Sequence, residues 1–295
     1  AFGARGAHVA LVARTTEALE ACAREIEEAG GDALVCAADV SDAAAVERAA
    51  AAAEARWGRI DVWVNAAMAT VFAPVENTTP AEYRRVTEVT YLGYVHGTLA
   101  ALQRMRRRDA GTIVQVGSAL AFRSIPLQSA YCAAKAAIRA FTDSLRTELI
   151  HDRSAVRLTQ VHLPAVNTPQ SERQRNKMPN RQQPVPPLFS PEAIAEAILW
   201  AADHAPRQML VGMQTVKAVW GQKFIPGPLD RYLARAGWEP QFVDAPNDQR
   251  ADMLFETLPG DPGAHGPFRD RERQRDWQMR LRMGGWFRGF QRRKR

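Results

Sequence analysis

The apolar residues of this chain fall into short, near-continuous runs that alternate with longer segments of helical period, and the alternation lasts for the first two-thirds of its 295 residues. HVALVAR reads as a buried strand, TTEALEACAREIEEAG as an amphipathic helix closed by Gly30-Gly31, and ALVCAADV as the next strand. Helix DAAAVERAAAAAEARWG and strand IDVWVNAAM follow, and after Thr79-Pro80 a long helical stretch, AEYRRVTEVTYLGYVHGTLAALQRMRRR, leads to strand TIVQVGS. Helix YCAAKAAIRAFTDSLRTELI, strand VRLTQVHLP, helix PEAIAEAILWAADH and strand QMLVGM complete the series. Strands that are apolar on both faces need helices on both faces. The pattern therefore predicts an α/β fold: a doubly wound parallel sheet in three layers, with a ligand at the carboxyl ends of the strands. Asn65, Ser118 and Pro164 fall at those ends.

Tyr131 and Lys135 stand four apart in SAYCAAKAAIRAFTDSL, and Ser118 closes the run TIVQVGS thirteen residues upstream of the tyrosine. Positions i and i+4 share a helix face, so a phenol and an ammonium at this spacing reach one pocket. An unperturbed phenol titrates near ~10, and a fixed positive charge beside it lowers that value toward the range where it can exchange a proton at neutral pH. Lys135 is the expected source of that charge. A serine hydroxyl at the strand end can hold a carbonyl oxygen in place for the same proton. The three together suit carbonyl/alcohol redox chemistry, while the spacing alone is also that of an ordinary surface pair.

Taken with their order along the chain, these residues resemble the short-chain dehydrogenase/reductase family, from Ala1 to about residue 215. RGAHVALVAR is similar to the family's second strand and its turn, and Asp39-Val40 to the pair that contacts adenine. VNAAM (Val64 to Met68) is similar to the Asn-Asn-Ala-Gly segment, VGS to the serine strand, and PAVNTP (Pro164 to Pro169) to the Pro-Gly-x-x-x-Thr stretch that holds the nicotinamide carboxamide. The resemblance implies a Rossmann-type domain over residues 1–215. It implies Ser118, Tyr131 and Lys135 as the catalytic set. For the cofactor it implies Asp39, Val40, Asn65, Ala66, Pro164 and Thr168, with Tyr131 and Lys135 also in contact. It implies no metal.

Departures from the family pattern carry their own expectations. AFGARGAH resembles the end of the helix that follows the family's Gly-rich loop, so the first strand and that loop are absent and the chain reads as an N-terminally truncated form of a longer protein. The strands that begin near His8 and Val62 would then lack their shared neighbour, leaving ladder groups unpaired. Thr90 stands where the family carries an Asn that holds a relay water; a hydroxyl offers less than an amide there. Ala66 and Met68 make the ribose wall bulkier and less polar, and Ala165 replaces a Gly. At the end of the second-strand equivalent, Ala13 replaces an acidic residue and Arg14 follows. A guanidinium pairs well with a 2′-phosphate, which favours NADP(H) over NAD(H); the alternative is a solvated loop arginine.

No run of 18 apolar residues occurs, and Cys22, Cys36 and Cys132 lack disulfide or metal spacing, which suggests a reducing, cytoplasmic setting. Residues 216–268 are turn-rich and read as an extension packing on the substrate or subunit side, with His265 in GAHG structural for want of a second ligand at metal spacing. The net charge of +7 belongs to residues 269–295, whose eleven Arg/Lys against three Asp/Glu give +8. Trp277, Trp286, Phe287 and Phe290 are interleaved with the arginines, a composition suited to peripheral contact with an anionic membrane. Nucleic acid is the less favoured polyanion, and a solvated, flexible tail interrupted at Gly284-Gly285 is the bland alternative.

ALAFRSIPLQSA offers an apolar substrate wall, and NTPQSERQRNKMPNRQQPVPPLF a lid whose Arg173, Arg175, Lys177 and Arg181 suit an anionic head group or simple solvation. Leu92, Val95, Leu99, Ile138, Phe141 and Leu145 cover more than one face of their helices, as expected of a homodimer or homotetramer. The resemblance thus implies an NADP(H)-dependent oxidoreductase interconverting a lipophilic ketone or aldehyde and its alcohol. The competing class is a non-catalytic NADP-binding or scaffold protein, against which the intact Ser118, Tyr131 and Lys135 argue.

Overall fold

A computed structural model of the chain describes residues 1–248 and 250–292, except for the side chains beyond residue 284. The predicted alternation forms. β1 (His8–Ala13), α1 (Thr16–Glu28), β2 (Asp32–Ala37), α2 (Ala43–Trp57) and β3 (Val62–Asn65) come first. A short β4 (Val71–Phe72) precedes α3 (Pro80–Val86) and α4 (Gly93–Arg107), which are joined by one π-wound turn at Thr87–Leu92. Next are β5 (Thr112–Ser118), α5 (Ser129–His151) and β6 (Arg157–Leu163). The expected lid contains α6 (Gln170–Arg173), β7 (Arg175–Asn176), β8 (Asn180–Gln182) and β9 (Leu188–Phe189). α7 (Pro191–His204), β10 (Gln208–Leu210), α8 (Met213–Phe224), α9 (Pro226–Ala236), β11 (Phe242–Pro246), β12 (Glu272–Arg273) and α10 (Trp277–Arg292) complete the chain.

Local chemistry sets the helix ends. Asp42 caps α2 by accepting from the Ala44 and Ala45 amides, and Gly58 closes it at φ +81°. Thr79 and Glu82 form a reciprocal capping box at α3 with Pro80 in the first turn, and Ser190 with Pro191 does similar work at α7.

Four strands pair in parallel in the order β10-β6-β5-β3, and β1 pairs in parallel with β2 as a separate ribbon. All seven residues of β5 are buried, because successive side chains enter different cores. Ile113 and Leu158 pack with Ala101, Met105, Leu145 and Leu149 of α4 and α5. Val114 and Val161 pack on the opposite side with Ala197 and Ala201 of α7. β1 and β3, the strands that the sequence reading leaves without a common neighbour, border a cleft of about 1360 Å³.

The C-terminal region departs from expectation. The segment from 269, expected to be flexible, packs: Met279 and Met283 of α10 are buried in the same core as α7, and α10 continues through Gly284-Gly285 to Arg292. Burial of two methionines one turn apart outweighs the solvation of the arginines between them. The side chains of Trp286, Phe287 and Phe290, on which the tail reading also leaned, lie outside the described residues. The preceding extension crosses back over the cleft, where buried Leu254 packs with Val86, Ala130 and Ala134. Among the described residues no helix is long and apolar enough to cross a membrane.

Candidate active site

β5 delivers Ser118 to the carboxyl end of the sheet, in register with Leu163 of β6, and the hydroxyl then accepts from the Leu120 amide at 3.1 Å, opening a tight turn. α5 begins eleven residues later and brings Tyr131 and Lys135 alongside on one face. Tyr131 hydrogen-bonds Ser118, and the Lys135 ammonium lies 5.6 Å from the centre of the Tyr131 ring. The three residues singled out from the sequence are therefore assembled.

Their electrostatics differ from expectation. Burial raises the Tyr131 phenol above its usual range, and the hydrogen bond with Ser118 only partly opposes this. Lys135, 3% exposed, is itself pulled down to about 7 by burial. The expected lowering of Tyr131 by Lys135 is thus absent from this arrangement, because desolvation penalises both charged forms in one low-dielectric site. The lysine is spoken for elsewhere: Nζ donates to the Tyr94 hydroxyl at 2.9 Å and to the Val116 carbonyl at 2.7 Å.

Tyr94 was not among the sequence candidates. It is almost fully buried and donates its own proton to the Val116 carbonyl at 2.9 Å. Its one sequence signal was its place four residues after Thr90, on the same face of the helical stretch. Thr90 does not serve the lysine. Its hydroxyl donates to the Ala69 carbonyl at 3.0 Å and accepts from the Ala69 amide at 2.8 Å, fastening the loop after β3. Its donor is thereby occupied, so the relay reading of Thr90 is corrected to an anchoring one.

The cleft between β1 and β3 gathers Arg14, Asp39, Val40, Asn65, Ala66 and Thr168, with Met68 and Tyr94 at its wall. Pro164 lies at the end of β6 and does not line it. Asn65 spends its side chain inside the protein: Nδ2 donates to Gln115 at 2.9 Å and Thr98 at 3.1 Å, and Oδ1 accepts from Trp63 at 2.8 Å. Asp39 is held by the Arg85 guanidinium and by the Ser41 amide and hydroxyl. Burial works to raise its carboxyl, and these hydrogen bonds outweigh it, leaving Asp39 below the usual carboxylate range. Arg14 donates to the Phe255 carbonyl at 3.1 Å and to that of Met253, so it is neither a solvated loop residue nor wholly open to a ligand. Burial, then the charge of Arg85, lowers it from its ordinary value. Arg85, also missed from sequence, is a second guanidinium nearby that does not line the cleft, its nitrogens being held by Asp39, Ser41 and the Leu254 carbonyl.

The basic residues of the lid are paired internally. Arg175 meets Glu82 at 3.1 Å and Asp252 at 2.8 Å, Lys177 meets Glu82 at 2.7 Å, and Arg181 meets Glu172 at 2.8 Å. Arg173 donates to the Leu258 carbonyl at 3.0 Å. Arg173, Arg175 and Lys177 fasten the lid to α3 and the extension, and Arg181 pairs within the lid. His265, read as structural for lack of neighbours, sits between Glu192 at 2.8 Å and Glu272 at 3.5 Å, one acid to each ring nitrogen. These partners are too far apart in sequence for spacing to reveal them. That geometry is a histidine bridging two acids and tying β12 to α7. His162, buried beside Gly117 and edge-on to the Phe122 ring at 4.7 Å, is lowered to about 4, chiefly by burial.

A parallel sheet flanked by helices, with a serine, tyrosine and lysine gathered at the carboxyl end of β5, defines the class. The sequence profile of the short chain dehydrogenase family matches residues 1–179, and the chain belongs to that family of oxidoreductases. It is 32% identical over 255 residues to the uncharacterized oxidoreductase YxnA of Bacillus subtilis, covering 85% of this chain and 71% of that one. It is 30% identical to the fatty acyl-CoA reductase of Acinetobacter baylyi, covering 70% and 68%. Among solved structures, the alcohol dehydrogenase of Thermococcus sibiricus complexed with 5-hydroxy-NADP is 27% identical with a TM-score of 0.59, over 71% of this chain and 87% of that one.

Proposed function

We propose that this chain is an NADP(H)-dependent oxidoreductase that interconverts a lipophilic ketone or aldehyde and its alcohol, with Tyr131 as the general acid and base. The observation that carries the reading is the Ser118–Tyr131 hydrogen bond with Lys135 beside the ring, at the carboxyl end of β5. The resemblance to an alcohol dehydrogenase seen with an NADP derivative supports the cofactor class. The resemblance to a fatty acyl-CoA reductase, together with the apolar segment after Ser118, supports a lipophilic substrate.

The residues fit the group. Arg14 lines one corner of the cleft beside Asp39 and offers there the charge a 2′-phosphate needs. Binding there requires Arg14 to exchange its two carbonyl partners for phosphate oxygens. A bound nicotinamide supplies or accepts the hydride. In the reducing direction Tyr131 gives its proton to the substrate oxygen as the new C–H bond forms, and Ser118 donates to the same oxygen and fixes its position. Lys135 has three N–H donors and uses two on Tyr94 and Val116, leaving the third for the Tyr131 side. Its value near 7 lets it carry charge when an anion forms beside it.

The test is nicotinamide oxidation and reduction by the whole protein with a panel of medium- and long-chain carbonyls and alcohols. Turnover that prefers NADPH and rises with chain length is the expected result. NADPH binding without turnover on any member would overturn the catalytic reading in favour of a binding role.

A further inference from the structure

Four of the twelve large apolar side chains exposed among the described residues fall within one thirteen-residue segment. They are Trp220 at 49%, Phe224 at 67%, Ile225 at 51% and Tyr232 at 62% exposure. The segment is the hairpin of α8 and α9, which turns at Phe224-Ile225 and restarts on Pro226. Trp220 and Phe224 stack on each other with ring centres 5.5 Å apart and planes within 5°, so they form one continuous apolar surface. Singly scattered apolar side chains are normal on a protein surface, but a contiguous aromatic patch marks a contact site.

The charge around the patch selects the partner. Residues 217–235 contain Lys217, Lys223, Arg231 and Arg235, all exposed, against one acid, Asp230. That acid is bound to Arg123 at 2.7 Å. Lys223 lies 5.3 Å from the Trp220 ring centre and 5.9 Å from that of Phe224, so a cation rides on the apolar surface itself. Apolar and aromatic side chains at a helical tip, flanked by cations with no free acid among them, match an interface that is apolar a few ångströms down and anionic at its surface. We infer that the α8–α9 hairpin docks this protein peripherally on an anionic lipid bilayer, with Phe224 and Ile225 entering the headgroup boundary. The membrane contact that the sequence assigned to the C-terminal tail is thereby placed on a different element, one built into the fold.

The position of the hairpin gives the contact a use. α8 packs on the turn Ala119–Ala121 that follows Ser118, and Arg123 ties that wall to Gln222 of α8 and Asp230 of α9, each at 2.7 Å. Docking would bring the bilayer next to the apolar side of the site.

The experiment is cosedimentation of the whole protein with vesicles of phosphatidylcholine alone and of phosphatidylcholine mixed with phosphatidylglycerol. The protein should bind the mixed vesicles, less so as salt is raised, and should bind the neutral ones weakly. The double substitution Phe224→Ser with Ile225→Ser, and separately Lys217→Glu with Lys223→Glu, should each weaken binding roughly tenfold or more while thermal unfolding stays unchanged. Binding equal on both vesicle types, no binding to the mixed vesicles, or wild-type binding by both folded variants would each overturn the assignment. Light scattering without lipid is the last arm: a smaller assembly for the Ser variant, with vesicle binding intact, would make the hairpin an interface between copies instead.

Discussion

Lys135 Nζ lies 2.9 Å from the Tyr94 hydroxyl, and because Tyr94 gives its own proton to the Val116 carbonyl, the lysine must be the donor between them. Tyr94 is therefore a fixed acceptor that favours the charged lysine against the cost of its burial. Tyr94→Phe keeps the ring and removes that acceptor, so the lysine should lose its proton at lower pH than before. We expect kcat to fall roughly tenfold at neutral pH and the alkaline limb of the rate profile to move downward. A fall in rate with an unmoved limb would mean that Tyr94 acts through packing alone.

Tyr131→Phe removes the transferable proton and little volume. Turnover should drop by about a hundredfold or more, with NADPH affinity within a few-fold of wild type when titrated by fluorescence. Retention of more than about a hundredth of wild-type kcat would exclude Tyr131 as the acid.

Cofactor choice should follow the corner of the cleft that Arg14 lines. Ala13→Asp with Arg14→Ser places a carboxylate where a 2′-phosphate would lie and removes one guanidinium. The ratio of kcat/KM for NADPH over NADH should fall by roughly two orders of magnitude. The ratio is the proper readout because Arg14 also holds the Met253 and Phe255 carbonyls, whose release lowers both activities together.

His162 predicts an acid-side loss of stability. Its imidazole is lowered from 6.5 to about 4, so as pH falls through that window the unfolded chain takes up a proton that the folded protein refuses. Stability should decline from about pH 6.5 and the contribution should level off near pH 4. His162→Phe should flatten this decline by roughly 2–3 kcal/mol between neutral pH and pH 4, read from urea midpoints. Parallel slopes for the two proteins would show that His162 does not titrate in this way.

Self-association should involve α4. Leu99 and Leu92 are 57% and 36% exposed, whereas Ile138 and Leu145 of α5 are buried in the core, so only part of the apolar surface noted in the sequence is left for a partner. Light scattering should give a dimer or tetramer for the wild type, and Leu99→Arg should yield a smaller species. A wild-type monomer at micromolar concentration would refute the expectation.

Short-range regularities in the sequence determined the elements and the heart of the site. Apolar runs bounded by helical segments were enough to place β1, β2, β3, β5, β6 and β10, because burial on both faces leaves strands such as TIVQVGS no other use. The four-residue step from Tyr131 to Lys135 is a property of the helix itself and survives whatever the rest of the chain does. Tertiary structure decided which polar group each side chain meets. Lys135 and Tyr94 are 41 positions apart, Arg14 and Phe255 are 241 apart, and Thr90 turned to Ala69 rather than to the lysine. Whether α10 packs or frays was likewise invisible, since Met279 and Met283 gain a core only because α7 lies opposite them. The physical reason is common to all four cases. A buried polar or apolar group is satisfied by the nearest complementary group in space, and desolvation sets its energy, neither of which is written in local spacing.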